Sequence, residues 1–338
     1  MAHRWRSATM VAIVLSPGLA LGEPVDAVSE FYRGKMMKII VPTGVGGSIA
    51  LYGQLFADHF ARHVPGNPSP VFVTMPGAGG VTSVEYIANV APKDGTIVGQ
   101  IMSQALMVPM MRRVGFEPTK FGWLGSLAAR PGVVAVWHTS RVTDVDSARK
   151  IEATMAASGI GAGNYQLPKL ANLVIGTKFK LVTGYKSAGE MNLALERGEV
   201  DGRFNYWSGW TSVKPDWIRD NKLRLLFRTG TRAADMPDIP ALEDLATSEE
   251  DRQMVRLFQA PDDVGIAFYL AEGVPTDRVE ALKKAFQDTL VDKDFLADAA
   301  KLDTPIEPVT ASKVQAVVRS IYETPAAVRE RFKPFLAP

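Results

Sequence analysis

Cysteine is absent from all 338 residues of the chain. The sequence therefore offers no thiol nucleophile, no thiolate ligand for zinc or an iron–sulfur cluster, and no disulfide framework. An excess of charge is also missing, because 38 basic residues face 36 acidic ones. A chain without a basic excess or a Lys/Arg-rich stripe lacks the electrostatic footprint of nucleic-acid binding. We expect no nucleic-acid partner, no metal and no cofactor.

Long hydrophobic runs are absent too. Gly, Pro or a charged residue interrupts every apolar stretch well before the roughly 18 residues that a membrane-spanning helix needs. The composition, 46% hydrophobic and 22% charged, excludes disordered and fibrous proteins. The length predicts about two domains of roughly 150 residues each. The mature chain is therefore predicted to be a two-domain globular protein and not an integral membrane protein.

The sequence lacks the common catalytic and nucleotide-binding motifs. Gly44 and Gly46 begin a G-x-G pattern, but Ile49 stands where a dinucleotide-binding fingerprint needs its third glycine. Neither a phosphate-binding G-x-x-x-x-G-K-[ST] loop nor a G-x-S-x-G nucleophile elbow occurs. His59 and His63 have metal-ligand spacing without the glutamate of H-E-x-x-H, which favours a solvated last helical turn. We assign no catalytic residue and expect the protein not to be an enzyme.

The first 22 residues have the pattern of a secretory signal peptide. Arg4 and Arg6 precede an apolar stretch at residues 8–15, and small residues stand at positions 20 and 22. Cleavage would leave a mature chain beginning at Glu23. It would remove two basic residues and no acidic one, so the 38 basic residues would fall to 36 and equal the acidic ones. An exported, cysteine-free chain of this size predicts a location in the periplasm of a Gram-negative cell.

Strand-like runs alternate with helical patterns along most of the chain. Strands are predicted at 38–41, 71–73, 96–102, 132–137, 180–183 and 223–227, and helices at 49–63, 145–156, 279–290 and 314–321. Thr82 with Glu85, and Ser187 with Glu190, have the spacing of capping boxes that begin further helices. This alternation predicts the α/β class with parallel or mixed sheets.

Three Gly-rich turns each lead from a strand to a helix N-terminus, at residues 42–48, 76–82 and 159–164. The exposed N–H groups and the helix dipole at such an end favour an anion, and open α/β sheets bind ligands at this edge. The alternative is that the glycines only permit tight turns. Three such turns in one chain favour a site for a carboxylate or a phosphate.

A second group of candidates lies in the middle of the chain. Residues 205–210 combine three aromatic rings with small polar groups, which suits either a ligand wall or packing between domains. Asn164, Tyr165 and Tyr185 follow predicted strands and could select a ligand or lie on surface loops.

Several of these segments together resemble one known family. The resemblance covers nearly the whole mature chain and includes Lys-Ile-Ile-Val-Pro at 38–42, Pro-Gly-Ala-Gly-Gly at 76–80, Ala-Pro-Lys-Asp-Gly-Thr at 91–96, Gly-Glu-Val-Asp-Gly at 198–202 and Met-Pro-Asp-Ile-Pro at 236–240. On these residues the chain resembles the periplasmic substrate receptors of tripartite tricarboxylate transporters, the Bug receptors.

The resemblance implies a two-domain Venus-flytrap fold with mixed sheets and two interdomain crossings, near residues 125–130 and 228–230. Domain 1 would comprise residues 23–128 and 230–338, and domain 2 residues 129–229. A small organic carboxylate would bind between the domains through main-chain N–H groups of two loops. With the polar candidates, the expected ligand-binding residues are Thr43, Gly44, Val45, Gly46, Gly47, Ser48, Ala78, Gly79, Gly80, Ser103, Asn164, Tyr165, Tyr185, Asn205 and Trp207.

The predicted function is that of a periplasmic solute-binding receptor, a monomer that delivers its ligand to membrane permease subunits. The sequence departs from the family pattern at positions that affect which ligand we expect. Ala50 stands where family members often have an acidic residue, and Thr74 and Met75 stand where they often have an Asn-Arg pair. Loss of the acid favours plain or aromatic carboxylates over amino acids, with Tyr206 and Trp207 against an apolar body. Two alternatives stay open: an exported enzyme that uses the same cleft, and a ligand-binding partner of a sensor.

Overall fold

The structure is a computed structural model that describes residues 27–324 together with Met1 and Glu330. Apart from Met1, the predicted signal peptide at residues 1–22 lies outside the described residues. None of the helices in the described part has the length and apolar character needed to cross a membrane.

Eleven strands form two sheets within the described residues. The strands, β1 to β11 in chain order, are Met36–Val41, Ser69–Thr74, Ile97–Gln100, Gly122–Ser126, Gly132–Trp137, Ala153–Ala156, Phe179–Val182, Gly202–Tyr206, Leu223–Thr229, Ala267–Leu270 and Val309–Thr310.

Fourteen α-helices accompany these strands in the described part. The helices, α1 to α14, are Ala27–Tyr32, Ser48–Phe60, Val81–Asn89, Val108–Met111, Val145–Ala148, Gly163–Ile175, Ala188–Glu196, Trp207–Thr211, Pro215–Arg219, Leu242–Leu245, Glu249–Gln259, Thr276–Leu290, Lys293–Lys301 and Ala311–Tyr322. Short 3₁₀ segments include Ala78–Gly80, Ser103–Met107 and Ala260–Asp263.

The two sheets are both mixed. The first has the order β11-β4-β10-β3-β1-β2, in which β2, β1 and β3 are parallel and β10 is antiparallel to β3 and β4. The second has the order β7-β6-β8-β5-β9, in which β7, β6 and β8 are parallel and β5 is antiparallel to β8 and β9. This arrangement confirms the predicted α/β class with mixed sheets.

The chain passes between the sheets twice, as expected for a two-domain binding-protein fold. It leaves the first sheet at Ser126, enters the second at Gly132, leaves that sheet at Thr229 and returns to the first at Ala267. Between Thr229 and Ala267, α10 contacts β9 and α11 contacts α6. The domain boundaries at residues 128 and 229 therefore stay a prediction, because α10 and α11 lie beyond residue 229 and yet contact β9 and α6 of the second unit.

Two local expectations are wrong. The helix predicted at 145–156 ends at Ala148, and residues 153–156 form β6 between β7 and β8. Ala153 and Met155 are buried there, so sheet pairing overrides the helical propensity of the segment. The capping box expected at Thr82 is absent, because α3 begins at Val81 after Gly80, which makes no side-chain cap.

Helix α2 carries the first Gly-rich loop, and an aromatic cluster fixes it on the first sheet. The Phe56 ring lies 4.5 Å from that of Phe60, 4.0 Å from that of Phe268 on β10 and 5.5 Å from that of Phe286 on α12. All four rings are buried. The cluster therefore sets where the N-terminus of α2 points.

We expect Phe56→Ala to lower the free energy of unfolding by about 3–5 kcal/mol, because it leaves a cavity among rings that have no room to collapse. Urea denaturation of the purified protein measures the loss. The control is Gln54→Ala, an exposed position on the same helix, which should stay within about 0.5 kcal/mol. A loss below about 1 kcal/mol for Phe56→Ala would contradict the role given to the cluster.

Candidate functional site

A small cavity lies between the two domains, at the ends of their strands. It has a volume of about 50 Å³, which is room for about four waters or a small organic molecule. Ser48 on α2 and Ser103 and Gln104 in the 3₁₀ segment after β3 line it from the first domain. Asn164 on α6 and Arg203 and Asn205 on β8 line it from the second. No aspartate, glutamate or histidine stands among the described residues that line it.

Three helices begin at this cavity. Gly47 and Ser48 at the start of α2, Gly163 at the start of α6 and Ala188 at the start of α7 all belong to its lining. The first residues of α2 and α6 receive no side-chain cap. Their N–H groups therefore lack a side-chain acceptor, and the positive ends of the helix dipoles favour an anion.

Arg130, in the first crossing segment, is a buried cation beside the cavity. It is 3% exposed, donates from Nη2 to Ser48 Oγ and from Nε to Ser208 Oγ, and lies 4.0 Å over the Tyr206 ring. Burial lowers the pKa of its guanidinium, and the nearby Tyr206, Tyr52 and Asp262 oppose that shift. None of its hydrogen bonds to described residues goes to a carboxylate.

Arg203, on β8, is a second buried cation with even less compensation. It is 2% exposed and donates from Nη1 to the Ala188 carbonyl at 3.0 Å and to Asn192 Oδ1 at 2.8 Å. Burial alone lowers the pKa of Arg203 to about 9, and no acidic neighbour opposes it. Among described residues Nη2 makes no hydrogen bond, so one edge of the guanidinium is free.

The loop that precedes α2 closes against the second domain. Gly44 N donates to the Lys186 carbonyl at 3.0 Å, and Thr43 Oγ1 donates to the same oxygen at 3.2 Å. A methyl group at Gly47 would lie 2.5 Å from Cβ of Ala188, closer than two carbons approach. The starts of α2 and α7 therefore face each other at a distance that only glycine permits.

The Pro-Gly-Ala-Gly-Gly loop also closes against the second domain. Gly79 has φ 68°, and a Cβ there would lie 2.6 Å from the Gly159 carbonyl and 2.7 Å from the nitrogen atoms of Gly161 and Ala162. Gly161 N donates to the Ala78 carbonyl at 3.3 Å. This loop contacts the third Gly-rich turn directly and is absent from the cavity lining.

The predicted ligand-binding residues are divided by the structure. Those that line the cavity are Thr43, Gly47, Ser48, Ser103, Asn164 and Asn205. Gly44 faces Ser187, and Val45 and Gly46 border an outer groove. Ala78, Gly79 and Gly80 lie at the domain contact, Tyr165 and Tyr185 are half-buried outside the cavity, and Trp207 lines a crevice on another side of Arg130.

Most of the polar groups at the cavity are already bonded. Asn164 Oδ1 accepts from N and Oγ of Ser158, and Ser103 Oγ donates to Gln104 Oε1 at 2.9 Å. Asn205 differs, because its buried Nδ2 has no partner among the described residues. Among the buried side-chain atoms of the described lining, Asn205 Nδ2 is thus the one without any hydrogen-bond partner.

Sequence reasoning missed Arg130 and Arg203. Arg203 and Asn205 are two residues apart on a fully buried strand and so share one face. A charged and a polar residue on one face of a buried strand is the pattern that could have identified Arg203. Arg130 stands alone between small residues and a proline, and no local pattern marks it.

His59 and His63 lie at the far end of α2. His59 is 6% exposed and bonds Asp298 at 3.2 Å, and His63 bonds Asp292 at 2.7 Å. The expectation of a solvated turn is therefore wrong for His59, which is held by an acid from α13. Across residues 27–324 no group of three His, Asp or Glu is arranged to hold a metal ion.

Asp262 connects both crossing segments behind the cavity. Its carboxylate accepts from Gln104 Nε2 at 2.6 Å and from Thr229 Oγ1 at 3.2 Å, and its carbonyl accepts from Arg130 N at 2.9 Å. Burial raises its pKa to about 7, against the lowering by bonds from Gln104, Thr229 and Tyr206 and by the charge of Arg130. The side chain is 2% exposed.

We expect the free energy of unfolding to fall as the pH rises from about 4 to about 7, because folded Asp262 holds a proton that the unfolded chain, with a pKa of 3.8, releases. One such proton contributes a slope of up to about 1.4 kcal/mol per pH unit. Urea denaturation across this range should show that Asp262→Asn removes this part of the slope. Asp238→Asn, at an exposed position, is the control. Equal slopes for Asp262→Asn and the unchanged protein would contradict the assignment.

Comparison with known proteins gives matches among solved structures. No protein-family model and no curated protein matches the chain. The periplasmic binding protein BugD is 19% identical with a TM-score of 0.71, over 90% of this chain and 98% of that one. An R. palustris protein solved with adipate is 18% identical with a TM-score of 0.67, over 88% and 97% of the two chains.

A third structure is MatC from Rhodopseudomonas palustris with bound malate, 16% identical with a TM-score of 0.66 over 90% of this chain and 99% of that one. Identities this low establish similarity of fold. The matches confirm the fold predicted from the sequence resemblance: the chain has the two-domain α/β fold of the periplasmic binding proteins of the Bug and TctC type.

Proposed function

We propose that the protein is a periplasmic receptor that binds a small organic carboxylate in the cavity between its domains. The observation that carries the proposal is the lining: two buried arginines and the starts of three helices, with no acidic side chain among the described residues. A buried positive charge without a counter-charge is costly, and an anion offsets that cost. Binding therefore favours the closed form, since the open form separates these groups.

The structural matches support the same class of ligand. One matching protein was solved with adipate and another with malate. Permease subunits of a tripartite tricarboxylate-type transporter are the proposed destination of the ligand, and the receptor is proposed to act as a monomer. The proposed role is capture and delivery without chemical change, because the hydroxyl groups of Ser48 and Ser103 are bonded to Arg130, Gln104 and Tyr206 and no histidine stands in the described lining to activate a hydroxyl group.

The first test is a thermal-shift and calorimetric titration of the mature protein with malonate, succinate, malate, adipate, citrate and benzoate, with amino acids and sugars as comparison. A ligand at 100 times its dissociation constant should add about 2.7 kcal/mol to the free energy of unfolding. Stabilisation by one or more organic acids is the expected result. Stabilisation by sugars or cations, with none by any acid, would overturn the proposal.

We expect Gly47→Ala to weaken binding of the best acid about tenfold or more, because its methyl group would lie 2.5 Å from Cβ of Ala188 in the closed form. The fraction of molecules able to close falls, and the apparent affinity falls with it. Gly47 has φ −142°, so alanine brings no backbone strain.

The matched control is Gly189→Ala, on the other side of the same contact. A Cβ at Gly189 would meet nothing nearer than 3.5 Å, so binding should stay within about twofold of the unchanged protein. Calorimetry measures both variants. Equal affinities for the two would show that the contact between residue 47 and α7 does not form in the ligand-bound state.

A further inference from the structure

We propose that Arg203 binds one acidic group of the ligand directly and makes the receptor select ligands with two acidic groups. The inference rests on the proposed function and assigns the selectivity of that site to a residue outside the Gly-rich loops. Arg203 lines the cavity from the second sheet, whereas the Pro-Gly-Ala-Gly-Gly loop is occupied by the domain contact.

The two buried arginines are not equivalent. Arg130 has beside it the Asp262 carboxyl, which becomes negatively charged above its pKa of about 7, and its peptide N–H bonds the Asp262 carbonyl. Arg203 has only neutral hydrogen-bond partners, the Ala188 and Phe204 carbonyls and Asn192 Oδ1. Within the described chain no acid forms an ion pair with it. The charge that lacks a counter-ion in the closed cavity is therefore that of Arg203.

The geometry provides for two acidic groups. Arg130 bonds Ser48 at the start of α2, and Arg203 bonds the Ala188 carbonyl at the start of α7. Each pair joins a guanidinium to a helix end, which carries about half a positive charge. Ser187 caps α7 and Glu190 stands in its first turn, so the uncompensated positive charge on this side is that of the Arg203 guanidinium. An acidic group bound by α2 and Arg130 leaves that charge without a counter-ion, and a ligand with a second acidic group gains the additional interaction.

Arg203 also has the donors that this role needs. Its Nη2 is free among described residues, and the unpartnered Nδ2 of Asn205 lies on the same strand face, two residues along. A planar guanidinium can pair with a carboxylate through two parallel hydrogen bonds. Asn205 adds a third donor for the same acidic group.

The test compares diacids with their monoamides on the mature protein and on Arg203→Met. The probes are malonate, succinate, malate and glutarate, each paired with the analogue in which one carboxylate is an amide, and calorimetry gives the affinities. The unchanged protein should prefer at least one diacid over its monoamide by about tenfold or more. Arg203→Met should weaken that diacid by at least about 30-fold and bring the ratio close to one. Arg219→Met, an exposed arginine on α9, is the control.

A second measurement separates ligand binding from a structural role. The free Arg203→Met protein should melt at the same temperature as the unchanged protein or higher, because an apolar side chain replaces a buried charge that has no acidic partner in the described chain. A lower melting temperature would assign Arg203 to the fold. Unchanged diacid affinity in Arg203→Met, or equal binding of diacid and monoamide by the unchanged protein, would overturn the inference while leaving the receptor function intact. The receptor function itself fails if no acid of either charge binds.

Discussion

Positive charge gathered at a cavity whose described lining contains no acidic side chain is the constraint that explains the rest of the site. Two guanidiniums and the starts of three helices border the same small cavity. The starts of α2 and α7 approach until Gly47 touches Ala188, which brings the uncapped start of α2 and the two guanidiniums to one small cavity. Such groups repel each other in a low-dielectric interior, so closure without an anion is opposed by electrostatics. An anion bound between these groups attracts each of them and offsets their mutual repulsion, so ligand binding favours the closed form.

Steric fit and charge act through the same loops. Because residues 47 and 79 are glycines, the backbones of the two domains can come into contact at these positions. This close approach brings the helix N-termini to the ligand. The loop glycines therefore have a second role beside exposing N–H groups. Gly79 shows this most clearly, because its loop contacts the turn at residues 159–162 and does not line the cavity, whereas Thr43, Gly47 and Ser48 of the first loop do. The loop at residues 42–48 therefore both lines the ligand cavity and contacts the second domain, whereas the loop at residues 76–80 only contacts the second domain.

Local patterns predicted the repeated strand, loop and helix units because each depends on nearby residues: a β-branched run, glycines and an apolar helical face. They failed at residues 153–156, where pairing with β7 and β8 decides the structure. They also failed at Arg130 and Arg203, since a lone arginine in sequence carries no information about whether an acid will lie beside it in space. The cavity depends on contacts between residues more than 80 positions apart, such as Arg130 with Ser48, and no periodicity reports these.

Asp262 adds a link between the hinge and the cavity. It holds Thr229 at the end of the second sheet, the peptide of Arg130 in the first crossing and Gln104 at the cavity wall. Both crossings therefore bond the same buried residue, the first through the Asp262 carbonyl and the second through its carboxyl group, and a rotation between the domains must move at least one of these partners. Arg130 takes part in this hinge cluster as well as in the cavity, which fixes its guanidinium on Ser48 and Ser208. Arg203 takes no part in this hinge cluster. We therefore assign Arg130 to the contacts that hold the hinge in the closed form and Arg203 to ligand binding. Only a buried cation without a counter-charge in the protein gains the full electrostatic interaction with an incoming anion.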